Sequence, residues 1–390
     1  MSTVTHQVPG LVLTDHTFQI PLDHARLDGE QITVFAREVV AAGHDSAHLP
    51  WLVFFQGGPG FAAPRPMHNN GWLKRALQDY RVLLLDQRGT GRSMPLTVET
   101  LAHFETAQAL ADYLKCFRAD AIVQDAEWIR RALLGERGTW SVLGQSFGGF
   151  CVTHYLSVAP AALKEAIITG GLPPLEREVD DVYRATYRRV IEQNRRYYAR
   201  YPDDMARAQA VVQRLSGHDV YLPTGDRLSP RRFQQLGMGF GASDGFEQVH
   251  YLLEDAFVAG AGGQDRLSYT FLRGLENRLA FDTNPLYALL HEPLYCQDAA
   301  SRWSAERVRA EYPEFEIAPD RAVYFTGEMI YPWMFDEYAR LRPLKEAAEI
   351  LAHDPAWPRL YDPAVLRTNG VPCVALIYYN DMYVERLFSE

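Results

Sequence analysis

The chain has 390 residues, of which 47% are apolar and 23% charged, and its formal net charge is −10. That balance suits one large or two medium globular domains, and the acidic excess argues against nucleic acid or an anionic membrane as partner. The four cysteines, Cys116, Cys151, Cys296 and Cys373, stand far apart with no C-x-x-C among them, so metal ligation is not expected and reduced, mostly buried thiols are.

The first residues, Met1-Ser2-Thr3-Val4-Thr5-His6-Gln7, lack the basic stretch and apolar core of a secretory leader. No apolar run approaches the ~18 residues of a spanning helix. The expected location is the cytoplasm. Thr17–Leu22 and Gln31–Arg37 alternate apolar and polar, as antiparallel strands with one exposed face do. The pattern then changes. Trp51–Phe55 and Arg81–Leu85 are continuously apolar and read as parallel strands buried on both faces. A helical stretch, Gly71–Gln78, lies between them, and a longer helix runs from about Asp120 to Leu134, with Ile122, Ala126, Ile129 and Leu133 at helical spacing. Trp140–Leu143 and Ala166–Gly170 are further strand candidates around a helix. Strands alternating with helices predict a parallel, doubly wound α/β sheet. From about residue 176 the alternation stops. Val179–Tyr201 reads as one long Arg- and Tyr-rich helix, more helices follow past 330, and a buried strand is expected again only at Val371–Tyr379. The expected domains are a sheet core at 1–175, a mainly helical cap insertion at 176–355, and the core resumed at 356–390.

Between Trp140–Leu143 and the helix that follows stands Gly144-Gln145-Ser146-Phe147-Gly148-Gly149. A bare G-x-S-x-G arises often by chance. Here it has a strand before it and a helix after it, which makes it the nucleophile elbow of an α/β-hydrolase. Such a turn strains the serine backbone, and its glycines let strand and helix cross without Cβ clashes. The serine then needs an oxyanion hole, a base and a group that orients the base. Phe147 N–H, directly after the nucleophile, is one expected oxyanion donor. Gly58, in Gln56-Gly57-Gly58-Pro59-Gly60 after Trp51–Phe55, is the other. Asp86-Gln87-Arg88-Gly89-Thr90-Gly91-Arg92-Ser93 follows the next strand. It lacks a dinucleotide or phosphate-loop fingerprint, and Asp86 and Arg88 are expected to pair and shape the floor of the site.

Gly57–Gly60, Asp86–Ser93 and Gly144–Gly149, in this order and spacing, closely resemble the proline iminopeptidases of the α/β-hydrolase superfamily. The resemblance continues through Leu253–Phe257, Leu290–Cys296, Phe325–Phe335 and Asn380–Val384, as in the longer bacterial form, and so spans essentially the whole chain. It implies a serine exopeptidase that frees N-terminal proline from peptides without metal or other cofactor. It further implies that Glu292 and Glu328 bind the substrate amine, with Glu254 a third candidate, and that Asp381 is the orienting acid. An enzyme that reads a free N-terminus needs such carboxylates, because a charged amine inside a pocket must be neutralised. Flat apolar groups would grip the proline ring, and Phe147, Tyr331, Trp333 and Phe335 are the aromatic candidates.

In this fold the triad order is Ser, then Asp or Glu, then His. No histidine follows Asp381, and all twelve precede it. In the resembled family the acid is followed by a helix, a strand and a histidine loop. The sequence reading therefore favours a chain lacking that C-terminal segment over a naturally short homologue. An esterase or amidase on the same scaffold and a catalytically silent prolyl-peptide-binding homologue are the alternatives. Oligomeric state is not legible.

Overall fold

A computed structural model of the chain describes residues 2–43, 48–260, 265–279 and 281–390. The strands are β1 Ser2–Val8, β2 Leu11–Pro21, β3 Gln31–Ala41, β4 Trp51–Phe55, β5 Arg81–Leu85, β6 Trp140–Gln145, β7 Leu163–Thr169, β8 Phe257–Ala259, β9 Asp265–Leu267 and β10 Cys373–Leu376. Eight of them form one sheet in the order β1-β2-β3-β5-β4-β6-β7-β10, while β8 and β9 make a separate hairpin. The strands from β1 to β5 in that order pair antiparallel. Those from β5 to β10 pair parallel.

The alternation of side chains along a strand explains why β4 is apolar throughout. Trp51, Val53 and Phe55 face one core, with residues of the helices Ala119–Leu134 and Phe147–Val158. Leu52 and Phe54 face the other core, with Leu73 of the helix Gly71–Ala76. β2 and β3 run longer than their sequence pattern suggests. β1 carries no apolar signal because nearly all of it is exposed.

The strand expected to be buried at Val371–Tyr379 is the short edge strand β10, and it is exposed along its length. Val374 is 61% and Leu376 54% exposed. Its apolar run is real, but among the described residues it pairs only with β7, and its side chains lie uncovered.

The long helix Val179–Arg200 buries Val179, Val182, Tyr183, Thr186, Tyr187, Val190, Asn194, Tyr197 and Tyr198, an i, i+3, i+4 stripe. Shorter helices follow it, and their apolar side chains join one cluster that also takes in Leu110, Leu114 and Phe117. The helix Ala107–Leu114 packs on the helix Lys345–His353. Physically, then, a segment well before residue 176 shares the core of the insertion. Among the described residues no helix is long and apolar enough to cross a membrane.

Candidate active site

Ser146 sits between β6 and the helix Phe147–Val158 with φ 52° and ψ −124°, a region sparsely populated by non-glycine residues. Its N–H donates to Thr169 O at 2.9 Å, and its carbonyl accepts from Gly149 N–H at 2.7 Å. Four glycines make the turn possible. A Cβ on Gly144 would lie 2.3 Å from Gly148 O, one on Gly148 2.0 Å from Phe55 O, one on Gly149 2.3 Å from Gly171 O, and one on Gly171 2.0 Å from Ser146 O. Phe147 opens the helix, so its N–H has no intrahelical acceptor and remains available to an anion.

The loop after β4 meets the serine directly: a Cβ on Gly57 would stand 3.1 Å from Ser146 Cβ. Gly58 follows with φ 136°, open to glycine and hardly to other residues. Asp86, fully buried, pins the far end of this loop. It accepts from Ala63 N–H at 3.0 Å, from Arg65 Nη1 at 2.8 Å and from Arg92 N–H at 2.8 Å. The expected Asp86–Arg88 pair does not form. Arg88 instead donates through Nε to Asp125 at 2.7 Å, and through its other nitrogens to the carbonyls of Pro21, Leu22 and Cys116. Its five-donor fork needs several acceptors, and the helix Ala119–Leu134 with the chain around it supplies them.

Asp381 follows β10. Its Oδ1 accepts from Tyr383 N–H at 2.8 Å and Val384 N–H at 3.1 Å, and its Oδ2 lies beside Gly170 at the end of β7, one residue past the carbonyl that binds Ser146 N–H. Burial pushes its carboxyl above the usual range; the two N–H groups oppose that, and Glu328 adds to it. The cap holds this segment in place. Arg189 makes a two-pronged contact with Glu385 at 2.8 Å per prong, and Tyr383 OH donates to Met238 O at 2.6 Å.

Glu328 lies within electrostatic reach of Asp381, and its neighbour Gly327 packs on Met382. It accepts from Tyr287 OH, and His291 Nε2 stands 3.7 Å away. Burial first, and Glu328 second, hold the Tyr287 phenol well above its usual range. The helix that carries Tyr287 also seats the loop after β4, since a Cβ on Gly60 would lie 2.9 Å from Leu286 Cβ and 3.2 Å from Tyr287 N. Rings connect this group to the elbow: Phe147 with Phe150 at 6.4 Å, Phe150 with Tyr295 at 5.8 Å, and Tyr295 with Tyr183 at 6.2 Å.

The other sequence candidates make contacts of their own. Glu292 is buried and, among the described residues, pairs with no arginine. Its oxygens accept from Ala305 N–H at 2.9 Å and Ser304 N–H at 3.2 Å, at the start of the helix Ser304–Arg309. Burial raises its carboxyl above the usual range. Glu254 is exposed and stands 3.4 Å from His250. Tyr331 is buried with its hydroxyl 3.0 Å from that of Tyr187, and it stacks on Trp333, which Arg231 covers. Phe335 packs against Trp303.

Among the described residues no histidine bonds Ser146 or Asp381. His154 is hydrogen-bonded to Leu360 O, and His68 lies by Asn70 at 2.7 Å. His44 falls outside the described residues. Sequence reasoning missed Tyr287, Tyr183 and Tyr383. The spacing of Tyr287 and His291, four apart on one helix, is the signal that could have found the first of them.

Residues 50–251 match the α/β hydrolase fold family. A protein of Aeromonas sobria named proline iminopeptidase is 50% identical over 392 residues, covering 100% of this chain and 91% of that protein. The proline iminopeptidase aneH of Aspergillus aculeatus is 37% identical, over 97% of this chain and 86% of its own.

Proposed function

The chain belongs to the proline iminopeptidase family of α/β hydrolases, and on that premise we propose that it is a serine exopeptidase that releases N-terminal proline from peptides. Ser146 Oγ attacks the carbonyl carbon of the first residue, and the N–H groups of Phe147 and Gly58 receive the oxyanion. Collapse of the tetrahedral adduct expels the amine of the remaining peptide. Water then cleaves the prolyl ester and frees Ser146. Asp381 serves as the acid that orients a histidine, and the histidine that would take the serine proton is not among the described residues. Glu328 receives the substrate amine. Glu292 is assigned instead to holding the cap helix that starts at Ser304. The working division is a core at 1–175 and 356–390 with a cap at 176–355, acting on peptides in the cytoplasm.

One observation supports this reading above the others: a partly enclosed carboxylate, Glu328, held by a phenol on the helix that packs against the oxyanion loop. A hydrolase for neutral esters has no use for that charge. Proline p-nitroanilide and its N-acetyl derivative test the reading, with free imidazole supplied as base. Release from the free amine alone, lost in Ser146→Ala, is the expected result. Equal release from both would indicate an esterase or amidase. Binding without release would indicate a silent homologue.

A further inference from the structure

Tyr287 lies on the helix Pro285–Leu290 and His291 caps its C-terminal end. A spacing of four residues turns both side chains to one side, and both meet Glu328, one at each oxygen. Tyr287 OH donates to Oε1, while His291 Nε2 lies 3.7 Å from Oε2. A third group stands behind the imidazole, Tyr183 of the long cap helix, with its hydroxyl 3.3 Å from His291 Nδ1. Tyr183 keeps its proton, because burial, and after it Glu292 and the other neighbouring groups, hold the phenol well above its usual range. That hydroxyl and Nδ1 share a hydrogen bond behind the ring, and Nε2 faces the carboxylate.

The same short helix touches the other end of the site. Gly60 of the oxyanion loop packs on Leu286 and the backbone of Tyr287, and Phe61 sets its ring edge-on to Tyr287 at 5.8 Å. One rigid turn of helix thus sets the distance from oxyanion loop to carboxylate. In an N-terminal residue the amine and the scissile carbonyl are separated by a single Cα, so an exopeptidase needs a span that is short and fixed.

We propose that Tyr287 and His291 are positioning residues for the substrate amine, Tyr287 holding Oε1 of the Glu328 carboxylate and His291 standing beside Oε2, with Tyr183 behind the imidazole. The proposal rests on the reading of Glu328 as the amine's partner. Tyr287 uses one lone pair of Oε1 and leaves the other acceptor positions of the carboxylate to the ammonium. A carboxylate fixed beforehand loses less freedom when it binds.

The test is calorimetric binding of L-prolinamide and of cyclopentanecarboxamide, which keeps the ring and the carbonyl but lacks the amine. It is run on the full chain and on Glu328→Gln, Tyr287→Phe and His291→Asn. The parent should prefer prolinamide, and Glu328→Gln should bind both alike. Tyr287→Phe and His291→Asn should each lower that preference about tenfold without changing the affinity for the amine-free ligand. A parent with no preference would sink the amine-site reading itself. A parent with a preference that Glu328→Gln abolishes but the other two variants retain would sink only the positioning role. Equal loss of both ligands in Tyr287→Phe or His291→Asn would mark that residue as structural and also refute the positioning role.

Discussion

Gly171 presses on the backbone of Ser146 so closely that a Cβ there would stand 2.0 Å from the serine carbonyl oxygen. Backbone at that range cannot move aside as a flexible side chain could. Gly171→Ala should cost more than about 3 kcal/mol, measured by urea unfolding. Gly217, at the end of the helix Asp204–Gly217, has nothing within 4 Å of a built Cβ. Gly217→Ala should be neutral or stabilising by up to about 1 kcal/mol.

Glu292→Ala should destabilise the fold and leave amine recognition intact. It strips acceptors from the buried N–H groups of Ser304 and Ala305, and an orphaned buried donor costs about 1–3 kcal/mol. A lower melting temperature with an unchanged prolinamide preference is the expected pair of results. A lost preference at unchanged stability would return Glu292 to the amine site.

Asp381 sets a pH dependence whose sign follows from burial. Its carboxyl titrates above 3.8 in the folded chain, so the folded state holds the proton more tightly than the unfolded one. The group's contribution to stability is complete below that value and is lost as pH rises through the folded pKa. Asp381→Asn keeps an acceptor for Tyr383 and Val384 N–H and does not titrate. Its melting temperature relative to the parent should rise from below pH 3.8 to neutrality. A constant difference would refute the assignment.

Without added base, a polypeptide of these 390 residues should release negligible p-nitroaniline from proline p-nitroanilide. Removing the base alone costs on the order of 10⁶ in kcat in subtilisin. Robust Ser146-dependent release by this polypeptide would overturn the assignment of Asp381 as partner to a histidine.

The strand–turn–helix at Ser146, the glycine loop after β4 and the strands β4 to β7 were legible because apolar runs stand next to glycines at fixed places. For Tyr331 and Trp333 the sequence leaves core and pocket wall open, because an aromatic in a core looks the same in sequence as one at a pocket wall. Glu292 and Glu328 both stand in aromatic-rich segments, and only the fold shows that backbone amides occupy one and side chains the other. The Asp86–Arg88 expectation failed because nearness in sequence says nothing about Arg65 and Asp125, which arrive from distant segments.

Gly60 fits into a footprint made by Asn284, Leu286 and Tyr287. The insertion is therefore not a detachable module. A chimera that grafts another relative's helices after β7 onto this sheet must carry a matching footprint, or the loop after β4 loses its seat. Interchange of caps among relatives is limited by a contact with one glycine in the core, however well each half folds alone.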